Sequence, residues 1–344
     1  MKAYFLSVMN DRRKTLDGRI TAVLLSLVSV LYLIALKCVY FLYRKNILTS
    51  YKARIKVISV GNITLGGTGK TPFTIFLAEN IRAIGGRPAV LIRGYGDDEP
   101  GLIKERLAGV EVFTGRDRVA GAKKAFSEAA SDCAILDDGF QHYRIKRDID
   151  IVLIDATRPF GNNRLFPRGI LREPLTRLGD ADVAVLTKCD MGRHNIEYIR
   201  GALKRYNKDI DIAESFYAPS GISRLLSREQ VPLSYIMNKK IALLSGIANP
   251  EYFRWMAENL GAEAAEDFRY PDHHPYTRGD MDFVREKCIS GGITPVLTTE
   301  KDAVRLRNRE DLTKGIEILT LRIDFRISSN EKAVFDRLHS IFAG

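Results

Sequence analysis

Cysteine is scarce in this chain, and what there is stands apart. The 344 residues hold four: Cys38, Cys133, Cys189 and Cys288. No C-x-x-C spacing supports a metal site and no cluster suggests a disulfide framework, so a reducing cytosol fits best. Internal repeats and low-complexity tracts are also missing. Acidic residues fall short of basic ones, 42 against 53, for a formal net charge of +11. That imbalance predicts an anionic partner: nucleic acid, a membrane surface or a phosphorylated substrate. No recognised nucleic-acid-binding motif and no interleaving of aromatic with basic residues is present, so the charge is read as serving anionic lipid and phosphate. A 45% hydrophobic and 28% charged composition is ordinary for a globular protein. The length suggests two domains or one large one.

Charge is absent from residues 20 to 36, "ITAVLLSLVSVLYLIAL", and after Lys37 the apolar run resumes as "CVYFLY". No small-residue cleavage site follows, which speaks against a signal peptide. Seventeen uncharged residues make a helix of ~25 Å, short of the ~30 Å hydrocarbon core. Basic residues flank both ends: Arg12, Arg13, Lys14 and Arg19 before, Arg44, Lys45, Lys52, Arg54 and Lys56 after. A spanning helix normally carries a one-sided bias. The pattern therefore predicts an anchor embedded in one leaflet, both ends facing one anionic surface; a buried core helix is the plainer reading.

From residue 54, near-continuous apolar strands alternate with amphipathic helices. "IKVISVG", "PAVLIRGYG", "CAILDDG", "IDIVLIDA" and "ADVAVLTK" read as buried strands of a parallel sheet covered on both faces. Ligands in such sheets bind beyond the carboxyl ends of the strands, where the polar residues of this chain sit. Residues 218 to 240 lack periodicity and read as a connection. A smaller α/β set follows, ending in the helix "NEKAVFDRLHSIF". The predicted division is a membrane-associated helix region in 1–53, an α/β core like that of P-loop NTPases in 54–225, and a smaller α/β domain in 226–344.

One glycine is conspicuously missing. "VGNITLGGTGKTP", residues 60 to 72, ends like the phosphate loop G-x-x-x-x-G-K-[ST], but Thr64 stands where the first glycine belongs. Gly66, Gly67 and Gly69 still allow positive φ and close backbone approach to an anion. The predicted nucleotide cradle is Thr64, Leu65, Gly66, Gly67, Thr68, Gly69, Lys70 and Thr71. Lys70 would reach the β- and γ-phosphates, the Thr71 hydroxyl would ligate Mg²⁺, and Pro72 suits the first helical turn. A second acidic metal ligand is expected from Asp137 or Asp138 of "AILDDG", and the sequence does not choose between them. "TKCD", with Thr187, Lys188 and Asp190, has the spelling by which GTPases read guanine. A solvated loop or a contact to another base is the alternative. A P-loop GTPase or ATPase switch, or a metal-insertion chaperone, is accordingly the rival to a kinase.

Taken in order, "SVGNITLGGTGKTP", "IRGYG", "DEP", "DDGFQHYR", "FGN", "LREP", "PDHHPYT" and "LTTEKDAVRL" resemble the tetraacyldisaccharide 4'-kinases of lipid A biosynthesis over nearly the whole chain. The altered loop spelling is itself typical of that family. The resemblance implies transfer of the γ-phosphoryl of ATP, with Mg²⁺, to the 4'-hydroxyl of a tetraacylated glucosamine disaccharide 1-phosphate, the lipid A precursor, giving lipid IVA. It also implies a membrane-bound N-terminal helix at the cytoplasmic face of the bacterial inner membrane. Carried over by motif, Asp98 of "DEP" resembles the catalytic base and His273 of "DHH" its dyad partner. Asp137 and Asp138 match the family's acidic pair, and Glu173 of "LREP" another acidic site residue, taken as a third acidic metal candidate. The stretch between "IRGYG" and "DEP" is nearly absent here, which leaves Asp97 as a competing base; spacing to Pro100 favours Asp98. Arg93, Arg116, Arg118, Arg144 and Arg172 lie near strand ends or motif loops, where some could bind the substrate's 1-phosphate.

Overall fold

Residues 2–94, 98–307 and 309–342 are described by a computed structural model. Its helices are α1 (Lys2–Met9), α2 (Leu16–Arg44), α3 (Lys70–Ala83), α4 (Asp98–Arg106), α5 (Arg118–Ser127), α6 (Ile196–Tyr206), α7 (Pro250–Asn259), α8 (Arg278–Gly291), α9 (Glu300–Arg307), α10 (Glu310–Thr313) and α11 (Glu331–Phe342). The first strands are β1 (Lys56–Gly61), β2 (Pro88–Ile92), β3 (Glu111–Thr114), β4 (Cys133–Asp137), β5 (Ile149–Asp155) and β6 (Val183–Thr187). Then come β7 (Asp211–Arg224), β8 (Gln230–Val231), β9 (Lys240–Ser245), β10 (Glu263–Arg269), β11 (Val296–Thr299) and β12 (Ile318–Ser329).

Two compact units emerge. Unit 1 comprises Met1–Arg93, Phe113–Phe216 and Ile327–Gly344; unit 2 comprises Gly94–Val112 and Tyr217–Arg326. In unit 1 the strands run β3-β2-β4-β1-β5-β6-β7. β1 lies centrally, with Ile58 paired to Ile135 on one side and Ile149 on the other, both parallel. Every residue of β2, β4, β5 and β6 is buried, as expected of parallel strands covered on both faces. Parallel pairing brings the carboxyl ends together: Val60 is opposite Asp137, and Asp155 is opposite Thr187.

In unit 2 the order is β10-β9-β11-β12-β7, with β8 antiparallel to β7. Its core gathers Leu244, Phe268, Met281, Val284, Val296 and Leu306. Thr277 and Asp280 form a reciprocal capping box at the start of α8, and Gly292 closes that helix in the left-handed conformation.

Two segments depart from the blocks expected in sequence order. Residues 94–112 belong to unit 2, because α4 packs on α9. A Cβ on Gly101 would meet Val304 Cγ1 at 2.8 Å. The Arg106 guanidinium bridges Glu300 at 2.9 Å and Asp324 at 2.7 Å. The C-terminal α11 belongs to unit 1, where Phe335 lies 6.2 Å from Phe76 and Arg337 pairs with Asp211 at 2.8 Å. The expected connection beginning at 218 is also corrected: β7 continues through it to Arg224. Its neighbours change along its length, so no single alternation of buried and exposed positions marks it.

The N-terminal region packs on unit 1 at several points. Asn162 Nδ2 donates to the Met9 carbonyl at 2.8 Å. The Ser29 hydroxyl donates to the Leu165 carbonyl and the Tyr32 hydroxyl to the Arg172 carbonyl, each at 2.9 Å. Tyr40 donates to Glu173. The remaining sides of α2 expose Leu24, Leu27 and Leu31 by 58%, 61% and 66%. By length and composition α2 is apolar enough to cross a membrane.

Candidate active site

The loop after β1 explains how the missing glycine is tolerated. Thr64 is buried and forms an antiparallel bridge with Leu171. The Leu65 N–H donates to the Ile170 carbonyl at 2.7 Å, and Asn62 Nδ2 donates to the Thr64 carbonyl at 2.9 Å. Strand-like pairing fixes the start of the loop, so no left-handed residue is needed there. Positive φ appears later, at Gly66 (113°) and Gly69 (88°), the latter capping α3. Lys70 opens α3, with Thr71 and Pro72 in its first turn.

"TKCD" braces this loop. The Lys188 ammonium donates to the Gly67 carbonyl and the Thr187 hydroxyl to the Thr68 carbonyl, each at 3.0 Å. Lys188 is also paired with Asp155, and all three residues are buried. The solvated-loop expectation is thus corrected for Thr187 and Lys188, while Asp190 is exposed.

At the end of β4, Asp137 is buried and its carbonyl accepts from Arg118 Nη2 at 3.0 Å. Asp138 follows at φ 58°. Arg172 grips its carboxylate with two bonds of 2.8 and 3.1 Å, and the Lys70 ammonium stands 3.6 Å away. Burial alone would raise this carboxyl, but Lys70 and Arg172 outweigh it and hold it at about 2. Glu173 is fully buried elsewhere, accepting from Tyr40 and, at 3.4 Å, from the Tyr143 hydroxyl. Burial pushes it up to about 7 against the pull of Arg177. Among the described residues no three His, Cys, Asp or Glu side chains form a group that could hold a metal. Asp137, Asp138 and Glu173, each a metal candidate, do not form such a group among the described residues. Glu173 is committed to tyrosines instead.

Unit 2 carries a second polar cluster. Asp98 begins α4 and is 3% exposed, and its Oδ2 lies 2.9 Å from Nδ1 of His273. Asp98 Oδ1 is buried with no hydrogen-bond partner among the described residues. His273 adopts φ 62°, a conformation uncommon outside glycine, and its N–H donates to the Gly246 carbonyl at 3.2 Å. Arg305 holds the same loop, donating to the carbonyls of Gly246 and His274 at 3.1 and 3.0 Å. His274 is occupied with Asp280 at 2.9 Å and stacks on Tyr270. Asp97, the competing base, lies outside the described residues. Lys301 and Arg305 escaped attention in the sequence; only their place in "LTTEKDAVRL" could have marked them.

The pattern of the tetraacyldisaccharide-1-P 4'-kinase family matches residues 21–343. A tetraacyldisaccharide 4'-kinase of Syntrophus aciditrophicus is 36% identical over 339 residues, covering 89% of each chain. That of Anaeromyxobacter dehalogenans (strain 2CP-C) is 37% identical over 306 residues, covering 82% of this chain and 81% of the relative. Among solved structures, LpxK from Aquifex aeolicus in complex with ATP superposes with a TM-score of 0.71 at 27% identity, covering 92% of this chain and 97% of that one. With the family pattern matched over residues 21–343 and relatives 36% and 37% identical over most of both chains, this chain belongs to the tetraacyldisaccharide 4'-kinase family.

Proposed function

We propose that this protein transfers the γ-phosphoryl of ATP to the 4'-hydroxyl of a tetraacylated glucosamine disaccharide 1-phosphate, working at the cytoplasmic face of the bacterial inner membrane. The observation that carries the reading is Asp98: a buried carboxylate with one oxygen on His273 and the other without a hydrogen-bond donor among the described residues. A carboxylate so placed suits acceptance of a hydroxyl proton. His273 orients it, and the second oxygen is the one to meet the acceptor.

Phosphoryl transfer asks for positioning and charge stabilisation. Lys70, opening α3, and the loop amides would bind the phosphates. Lys70 now pairs with Asp138, so nucleotide binding would exchange that contact for phosphate oxygens. Mg²⁺ normally takes one or two carboxylates together with substrate phosphates and water. An ionised Asp138 and the Thr71 hydroxyl fit such a set, with Asp137 as the other candidate. Bound there, the ion would neutralise charge on the β- and γ-phosphates. For the acceptor, the +11 net charge and the arginines at the strand ends favour an anionic molecule.

Membrane attachment follows from α2. Its outer sides are apolar, while its inner side is tied to unit 1 at Ser29, Tyr32 and Tyr40. The turn before α2 is tied to unit 1 as well, through Asp11 and Arg168, and α1 through Met9 and Asn162. Attachment before and along the helix supports one that lies in a single leaflet rather than one that spans. Transfer of ³²P from labelled ATP to a detergent-solubilised lipid A precursor tests the reading. ATP hydrolysis without a labelled lipid product would favour the switch or chaperone alternative.

A further inference from the structure

We propose that Lys301 is a positioning residue of the phosphoryl-transfer site: it fixes the tautomer of His273 so that the ring turns Nδ1–H toward Asp98. This deepens the reading above and rests on it for the role of Asp98. Lys301 Nζ lies 3.0 Å from Glu99 Oε1, 3.2 Å from Asp272 Oδ1 and 3.2 Å from His273 Nε2. An ammonium has three donors and no lone pair. Three neighbours therefore match three protons, and Nε2 must accept. The ring proton then belongs on Nδ1, 2.9 Å from Asp98 Oδ2. Burial works against the lysine's charge, but Glu99, Asp272 and Asp98 outweigh it and raise its pKa, so the donor stays protonated.

Among the described residues, the charged groups that face the ring are Asp98 and Glu99 on α4, Asp272 in its own loop, and Lys301 on α9; Arg305, also on α9, lies 3.8 Å from Asp98. Without the ammonium, the charged groups nearest Nε2 among the described residues are two carboxylates, Asp272 Oδ2 at 3.7 Å and Glu99 Oε1 at 4.0 Å. They draw a proton onto Nε2. A neutral ring then presents a lone pair to Asp98 Oδ2, and the carboxylate loses the donor that orients it. His273 thus acts on Asp98 only while Lys301 occupies its other face.

The test uses full-length protein in detergent, ¹⁵N-labelled at histidine. The chain has five histidines, and the His273 signals are assigned by their loss in His273→Gln. Long-range ¹H–¹⁵N spectra report which ring nitrogen carries the proton. In wild type, Nε2 is expected bare and Nδ1 protonated. In Lys301→Met, a proton is expected on Nε2, with kcat down roughly tenfold or more, a modest share of what general-base positioning supplies. The KM for ATP is expected to stay within about twofold, since the change acts on the base that serves the acceptor and not on a phosphate-binding group. Lys301→Arg keeps a cationic donor and should restore the wild-type ring pattern and most of kcat. A wild-type ring protonated at Nε2, or a Lys301→Met ring with the wild-type pattern, overturns the proposal. The spectra do not depend on turnover. Full activity in Asp98→Asn would remove the base assignment and leave the tautomer result standing.

Discussion

Lys70 is 3.6 Å from Asp138, and Arg172 holds the same carboxylate. Two cations on one carboxylate make the lysine available to phosphate without leaving Asp138 unpaired when it moves. Lys70→Ala should lower kcat on the order of 10²-fold or more, the loss typical of one charge-stabilising group. Steady-state kinetics would expose the assignment as wrong if turnover stayed near wild type. Asp98→Ala should slow transfer strongly yet leave ATP affinity nearly intact, because a base acts on the acceptor; titration of ATP into the variant checks this. His142 gives a different handle. Burial, then Arg118, Arg144 and Arg147, hold its imidazole down at about 4. The unfolded chain binds a proton near pH 6.5. Between about 6.5 and about 4 the unfolded state therefore carries the extra proton, and stability falls as pH drops. His142→Gln should flatten that acid slope. Thermal melts at pH 7 and pH 5 would read it, and an unchanged slope would place the acid sensitivity elsewhere.

At the scale of elements, the phosphate loop rests on the β6 terminus. Thr187 and Lys188 hold two of its carbonyls, and Lys188 is buried against Asp155. Lys188→Ala leaves a buried carboxylate without this cation, a change that typically costs about 3–5 kcal/mol. Lys188→Arg should be milder and should weaken ATP binding without any gain for GTP. Nucleotide competition would test this, since a guanine-reading lysine would lose GTP first. The second element is α2. Deleting it would uncover Glu173 and remove the Tyr32 contact to Arg172, so the outer face is the cleaner target. Replacing Leu24, Leu27 and Leu31 together by Glu alters only exposed side chains. Each leucine forfeits roughly 1.5–3 kcal/mol of burial in lipid. Vesicle sedimentation should show release of the variant, with ATP affinity retained. Continued sedimentation would mean that α2 is not the anchor.

For the whole molecule, topology is the property to test. Lys14 is exposed in the turn before α2. Lys14→Cys, made with Cys38→Ser to remove the exposed native thiol, should react only with reagents on the cytoplasmic side. Labelling from the periplasm would show a spanning helix and leave the kinase assignment in place.

Local pattern was enough for the strands of unit 1, the phosphate loop and the apolar helix. A strand buried on both faces is mostly apolar, a glycine-rich loop lets the backbone approach an anion closely, and a long helix with few charges suits an apolar medium. These requirements act on neighbouring residues, so they are written in contiguous sequence. The partners of a side chain are not. Asp98 and His273 meet across 175 positions. Thr64 replaces a glycine because Leu171 pairs with it, and "TKCD" braces the loop because the β5–β6 register sets Asp155 beside Thr187. Likewise, α4 joins unit 2 through Gly101 on Val304 and Arg106 on Glu300. Sequence alone determined which strands are buried and where the glycine-rich loop and the apolar helix lie. Tertiary structure decided which charges stand together, because a contact depends on distance in space, and periodicity along the chain carries no record of it.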